Sequence, residues 1–311
     1  MSDVSPRTHL ALPSHVKLVE VGPRDGLQNE VQQISLADKV TLIEKLADAG
    51  LRYIESGSFV SPKWVPQMAS SADVFKTIKR DSSVTYAALT PNMRGYETAI
   101  AVNASEVAIF AAASESFSQK NINCSIKESI ERFAPIIADA KHRNIRVRGY
   151  VSCVVGCPYE GEIDENKVAA VAEKLFNMGC YEISLGDTIG VGNPASVTKM
   201  LQAVCARVPK ANLAVHFHDT YGQALTNIYA ALQSGISVID SAIAGLGGCP
   251  YASGASGNIA TEEVVYLLNG LGITTHINFD KLLAAGWFIS EKLGKPPVSK
   301  VSTAFLTKSS R

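Results

Sequence analysis

The chain has 311 residues, of which 46% are hydrophobic, so it can form a large core in one or two α/β domains. Lysine plus arginine equals aspartate plus glutamate at 29 each. The broad positive field that nucleic-acid or anionic-membrane binding usually needs is therefore absent, and no segment has the apolar length of a membrane span, which favours a small-molecule function.

Short β-rich runs alternate with helical patterns along the whole chain. The predicted strands are 16–22, 53–59, 84–90, 106–112, 145–152, 181–187, 213–219 and 238–245. Residues 35–50 predict a helix with Ser35 as N-cap and Gly50 as the C-terminal stop. Similar helical spacing covers 125–144, 166–179 and 278–294, and a polar tail follows.

Strand–helix units in this number and order predict a (β/α)8 TIM barrel, whereas a doubly wound sheet would normally have fewer strands and a topological break. No linker rich in proline, glycine or serine divides the chain. We therefore expect one catalytic domain over 1–311, with the barrel over about 16–270 and a C-terminal helical extension over about 271–311.

Reactive residues follow the predicted strands, where a TIM barrel carries its active site. Arg24 and Asp25 follow the first strand, and in isolation they would be an ordinary ion pair in a surface turn. If both face the barrel mouth, Asp25 can bind a metal and Arg24 can stabilise an oxyanion. Glu55 in the second strand and Asp187 after the sixth could orient these groups, or could equally cap the next helix.

His216 and His218 end the seventh predicted strand, and residues two apart on a strand point to the same face. Spacing alone does not separate a metal site from two structural histidines. With Asp25 and an amide oxygen from Asn258, the pair would suit Mg²⁺, Mn²⁺ or Zn²⁺. The glycine-rich loop 245–258 is either an active-site lid or a passive connection, and its Cys249 is either an acid or an inert thiol.

The remaining cysteines bear on the cellular compartment, and we assign them no catalytic role. Their spacing does not match a structural zinc site, so we interpret them as reduced thiols, with Cys153 and Cys157 packed in the core. The first residues contain neither the apolar run of a signal peptide nor the arginine content of an organelle leader. These features predict a cytoplasmic protein.

Several motifs together resemble the 3-hydroxy-3-methylglutaryl-CoA (HMG-CoA) lyase family over about residues 16–290. They are VEVGPRDGLQNE, SFVSPKWVPQM, GYVSCVVGCPYEG, SLGDTIGVG, HFHDTYGQALTN and GLGGCPYASGASGNIATEEVVYLLNG. The Arg-Asp and His-x-His motifs also occur in related barrel enzymes such as isopropylmalate and homocitrate synthases. The cysteine-bearing loop and SPKWVPQM are more specific to the lyases.

The resemblance implies a homodimeric enzyme of leucine degradation and ketone-body metabolism that cleaves HMG-CoA to acetoacetate and acetyl-CoA with Mg²⁺ or Mn²⁺. It implies metal ligation for four residues, Asp25, His216, His218 and Asn258, and supporting roles for Glu55 and Asp187. Arg24 would stabilise the acetyl-CoA enolate and Cys249 would protonate it. Asp25 is our first candidate for the base that deprotonates the substrate hydroxyl, and a histidine is the second. No residue is predicted to contact CoA.

Three alternatives remain. A related Claisen-type synthase would form the bond instead, although many such enzymes carry a long C-terminal region that this chain lacks. A metal-dependent aldolase would act on a small hydroxy acid and need no acyl-CoA. A non-catalytic barrel would leave the reactive residues at the strand ends without a role.

Overall fold

A closed parallel barrel forms the centre of the computed structural model, which describes residues 12–249 and 252–309 but not the side chains of 249, 252–256 and 307–309. The barrel strands are β1 Lys17–Glu20, β2 Tyr53–Ser58, β3 Thr85–Leu89, β4 Glu106–Ala112, β5 Arg146–Ser152, β6 Glu182–Asp187, β7 Leu213–Phe217 and β8 Val238–Ser241. Each strand pairs with its neighbours in chain order, and β8 closes the ring against β1. The predicted TIM-barrel fold is confirmed.

Helices cover the outside of the barrel and extend past it. They are α1 Leu36–Asp48, α2 Ser71–Thr77, α3 Met93–Ala101, α4 Glu115–Ile122, α5 Ile126–His142, α6 Glu165–Met178, α7 Pro194–Cys205, α8 Ala224–Gln233, α9 Thr261–Gly270, α10 Phe279–Leu293 and α11 Lys300–Ser309. The Ser35 side chain caps α1 by accepting the Asp38 N–H. Gly50 follows α1 with φ of +103°, a conformation that favours glycine and ends the helix.

Several predicted strands end earlier than their sequences suggested, and in β1 and β8 a turn of the backbone ends the strand. β1 stops at Glu20 because the next residues form a π-helical turn, Gly22–Gly26. β8 stops at Ser241 because Ile243–Gly245 forms a 3₁₀ turn in which Ala244 has φ of +57°. Apolar sequence continues through this second turn, so hydrophobicity alone could not locate the end of the strand.

The C-terminal region is more regular than the predicted polar tail, because α11 follows α10 within it. Ion pairs join this region to the start of the barrel, from Lys281 to Asp48 at 2.9 Å and from Lys295 to Glu30 at 2.7 Å. Within the described ranges, no helix has the length and apolar character needed to cross a membrane.

Candidate active site and metal centre

The turn after β1 presents Asp25 at the barrel mouth. The carbonyl of Val21 accepts the N–H groups of Arg24, Asp25 and Gly26 at 3.1, 2.7 and 3.2 Å. Glu20 accepts the N–H of Gly22 at 2.8 Å, and a Cβ at Gly22 would lie only 2.6 Å from the same carboxylate oxygen. Glycine is therefore required where the chain turns beside this buried carboxyl group.

The predicted ligand residues come together at this mouth. Ligand atoms of Asp25, His216 and His218 all lie within 4.8 Å of one another, and His216 Nε2 is 3.8 Å from Asp25 Oδ2. Asn258 donates from Nδ2 to the same Asp25 oxygen at 2.9 Å. His218 lies just beyond β7 and forms an isolated β-bridge with Asn258, which connects the loop after β8 to the histidine pair.

Protonation states at the cluster suit a cation. Burial opposes ionisation of Asp25, but the charge of Arg24, with those of His216 and His218, outweighs burial and lowers the Asp25 pKa to about 2. Burial lowers the His218 pKa to about 4, so this imidazole is neutral at pH 7. Its Nδ1 is buried and has no hydrogen-bond partner among the described residues. A carboxylate and a neutral imidazole with an unpartnered nitrogen fit a divalent metal.

The Asn258 amide presents its nitrogen to Asp25 and also donates to the Leu246 carbonyl at 3.2 Å. Metal ligation would require its oxygen instead. Half a turn of the amide about χ2 would exchange the two atoms and place the oxygen beside the Asp25 carboxylate. The structure thus places Asn258 at the cluster with its amide nitrogen, and not its oxygen, directed at Asp25.

Arg24 is held between two carboxylates. Its Nε donates to Glu55 Oε2 at 2.7 Å, and its Nη1 donates to Asp25 Oδ1 at 2.5 Å. Burial opposes the charge on Arg24, but Glu55 and Asp25 outweigh burial and raise its pKa, so the guanidinium stays cationic. Glu55 thus orients Arg24 and does not cap a helix.

Asp187 and Cys249 are positioned differently from this cluster. Asp187 ends β6 and accepts the Gly192 N–H at 2.8 Å, which fixes the loop before α7. The N-cap of α7 is Asn193. Cys249 lies in a two-residue strand, Gly248–Cys249. The predicted acid is its thiol, which is outside the described part of the structure. Cys153 and Cys157 are buried and free, as predicted.

Three buried polar residues near the cluster were missed by the sequence reasoning. Asp240 lies 3.3 Å from His216 Nδ1, Arg148 pairs with Asp240, and Tyr150 donates to Glu55 at 3.2 Å. Charged residues inside predicted barrel strands, such as Arg148 and Asp240, were the available signal. Arg148 and Tyr150 are also two apart on one strand and therefore share a face.

A cavity of about 810 Å³ opens at the mouth beside the cluster. Arg24, Asp25, His216 and His218 line one part of it. Leu89, Phe110 and Tyr150, from β3, β4 and β5, line another and pack in a small apolar group with Ala108. In the ring of strands, β3–β5 stand across from β7, β8 and β1. The mouth therefore has a polar wall and an apolar wall.

Comparison with known proteins gives consistent matches. The family model described as HMGL-like matches residues 15–289. The chain is 60% identical to the 3-hydroxy-3-isohexenylglutaryl-CoA/hydroxy-methylglutaryl-CoA lyase of Pseudomonas aeruginosa over 96% of this chain and 99% of that protein.

Solved structures agree with the sequence comparison. The crystal structure of hydroxymethylglutaryl-CoA lyase from Pseudomonas aeruginosa has a TM-score of 0.94 at 60% identity and covers 96% of this chain and 99% of that one. An HMG-CoA lyase from Acinetobacter baumannii in complex with coenzyme A and 3-methylmalate has a TM-score of 0.90 at 36% identity, covering 94% of this chain and 96% of that one.

Proposed function

The chain belongs to the HMGL-like family, and from that premise we infer that it is a lyase that cleaves HMG-CoA to acetoacetate and acetyl-CoA. The observation that carries this function is the 60% identity to a lyase of this name over nearly the whole chain. The arrangement of Asp25, His216 and His218 at the barrel mouth supports it independently, since this donor set suits a divalent metal.

Asp25, His216 and His218 would hold the metal, with Asn258 as a fourth ligand once its amide has turned. A bound Mg²⁺ or Mn²⁺ would supply Lewis-acid polarisation of the substrate's hydroxyl and carboxylate oxygens. A pKa of about 2 keeps Asp25 ionised at pH 7, so it can bind a metal. Asp25 is also our first candidate for the group that accepts the proton of the substrate hydroxyl, because a bound metal would lower the pKa of that hydroxyl as well.

Arg24 is the group that would stabilise the enolate of the departing acetyl-CoA. Its guanidinium is fixed by Glu55 and Asp25 before substrate binds, so little reorganisation is needed as negative charge develops. Its position in the lining of the cavity gives it access to substrate. Cys249, from the loop after β8, is our proposed donor of the proton to the enolate carbon, which gives acetyl-CoA. Asp187 would have a supporting role, because it holds the loop between β6 and α7.

An assay with metal-stripped protein tests this function. We expect acetoacetate and acetyl-CoA to form from HMG-CoA in equal amounts after Mg²⁺ or Mn²⁺ is added, and no product to form in chelator. A Claisen synthase would instead consume acetyl-CoA and a 2-oxo acid, and an aldolase would cleave a free hydroxy acid. Failure to produce acetoacetate with metal present would contradict the proposal.

The apolar wall favours a second substrate. The Pseudomonas aeruginosa relative is named for 3-hydroxy-3-isohexenylglutaryl-CoA as well as for the methyl compound. Leu89 and Phe110 provide apolar surface across from the metal centre, where a longer alkenyl substituent could be buried. Comparing kcat/KM for the two thioesters tests this, and an undetectable rate with the isohexenyl compound would exclude it.

Assembly, domain structure and compartment are further proposals. We propose a single domain, because the ion pairs from Lys281 and Lys295 join the C-terminal helical region to the barrel. The five cysteines whose side chains the structure describes are free, which supports a reducing compartment such as the cytoplasm. The family resemblance supports a homodimer, which sedimentation velocity would test.

A further inference from the structure

A continuous chain of buried polar groups lies behind the metal centre. Arg148 on β5 donates two hydrogen bonds to the carboxylate of Asp240 on β8, at 2.9 and 2.7 Å. Asp240 Oδ2 in turn lies 3.3 Å from His216 Nδ1 and also accepts from Ser184 Oγ at 2.7 Å. Arg148 and Asp240 have no exposed side-chain surface, so this ion pair is isolated from solvent.

Arg148 also reaches the other half of the site. Its Nη1 donates to Tyr150 Oη at 2.7 Å, and Tyr150 donates to Glu55 Oε1 at 3.2 Å. Glu55 then holds Arg24, as described above. One buried guanidinium is therefore connected both to a metal-binding histidine and to the proposed enolate-stabilising arginine.

The geometry determines which nitrogen of His216 is available to a metal. A carboxylate paired with a buried guanidinium only accepts hydrogen bonds, so His216 must present Nδ1–H to Asp240. The neutral ring then carries its lone pair on Nε2, the nitrogen 3.8 Å from Asp25. The opposite tautomer would place a hydrogen where the cation must bind.

We propose that Asp240 and Arg148 are positioning residues for the metal centre: Asp240 sets the tautomer and ring orientation of His216, and Arg148 fixes Asp240. This inference rests on the proposed function, in which His216 binds the metal. Groups that orient a ligating histidine typically contribute about 10- to 100-fold to metal affinity. Neither residue contacts substrate in this proposal.

The same network contains a matched control. Lys17 Nζ pairs with Glu182 at 2.7 Å, and Glu182 also accepts from Arg148 Nε at 2.7 Å. Lys17 is thus joined to Arg148 but is not in contact with Asp240 or His216. If Asp240 had a purely structural role, Asp240→Asn would lower stability and, like Lys17→Met, would leave the Mn²⁺ affinity of the folded protein unchanged.

Titration of metal-stripped full-length protein with Mn²⁺, followed by electron paramagnetic resonance of the free ion, tests the proposal. We expect Asp240→Asn to raise the Mn²⁺ Kd by about 10- to 100-fold and Lys17→Met to leave it within about twofold of the parent. Thermal unfolding of the same samples separates metal affinity from stability. A folded Asp240→Asn protein with the parent Kd would overturn the proposal.

A second measurement uses the unmodified protein, in case Asp240→Asn does not fold. Nitrogen-15 spectra of the Mg²⁺-loaded enzyme, with the His216 signals assigned by their loss in His216→Gln, report the tautomer directly. We expect the proton on Nδ1, and a proton on Nε2 would overturn the proposal. If the parent binds no Mn²⁺, the proposed metal centre fails together with this inference. If the parent binds Mn²⁺ and Asp240→Asn binds it equally, only this inference fails.

Discussion

The two walls of the barrel mouth are built differently. The polar wall, around β7, β8 and β1, presents Asp25, His216 and His218 within 4.8 Å of one another. The apolar wall, on β3–β5, presents Leu89, Phe110 and Tyr150. Groups on the first wall are fixed by buried ion pairs and hydrogen bonds, whereas Leu89 and Phe110 on the second are fixed by packing. Tyr150 belongs to both, because its ring packs in the apolar group and its hydroxyl joins the polar network.

The difference implies a division of roles between the walls. Buried charges need partners in fixed geometry, so each polar-wall residue depends on residues behind it. Apolar packing depends mainly on volume and tolerates similar side chains. Substitutions on the polar wall should therefore change metal binding or turnover, and substitutions on the apolar wall should change substrate preference.

The largest effect is expected at Arg24. Arg24→Gln removes the cation that would stabilise the enolate, and we expect kcat to fall about 100- to 1,000-fold or more at saturating Mg²⁺. Arg207→Gln is the matched control, because Arg207 forms an exposed ion pair with Glu173 and does not line the cavity. Steady-state kinetics measure both. Near-normal turnover of Arg24→Gln would remove Arg24 from the reaction.

A pH titration of Mn²⁺ binding tests the polar wall without mutation. Burial lowers the His216 pKa, but its hydrogen bond to Asp240 and the charge of Asp240 raise it above the ordinary 6.5, whereas the His218 pKa is about 4. As pH falls below the His216 pKa, a single proton competes with the metal. We expect Kd to rise about tenfold per pH unit between about pH 5 and 6. A hundredfold rise per unit would show that both histidines titrate there.

Smaller effects are expected on the apolar wall. Leu89→Ala removes buried apolar surface beside the cavity. We expect KM for HMG-CoA to rise about tenfold, which corresponds to a loss of about 1.4 kcal/mol of binding free energy. Leu36→Ala, at the exposed start of α1, is the control. An unchanged KM, together with an unchanged preference between the methyl and isohexenyl substrates, would argue against substrate contact at this wall.

Sequence patterns predicted the barrel well because every strand has its own apolar run. Each predicted strand lies in the barrel, and errors occur where apolar sequence continues into a turn, as at Ile243–Gly245. The His-x-His spacing and the strand-end position of Asp25 similarly predicted a cluster that the fold brings together. These predictions used information local to one strand or one turn.

The support behind the cluster could not be predicted in this way. Arg148 and Asp240 are 92 residues apart, and their pairing depends on strand order and register around the closed barrel. The orientation of Asn258 depends on the loop after β8, whose pattern of glycines fixes no single path. Residue types were visible in the sequence, but their partners were not.

The most direct test of the division between the walls measures Mn²⁺ affinity and HMG-CoA KM for His218→Gln and Leu89→Ala side by side. We predict that His218→Gln weakens Mn²⁺ binding by more than about 100-fold, beyond the range of a residue that only orients a ligand. Leu89→Ala should keep the parent Mn²⁺ affinity and raise KM alone. Equal losses of Mn²⁺ affinity in the two variants would contradict the account.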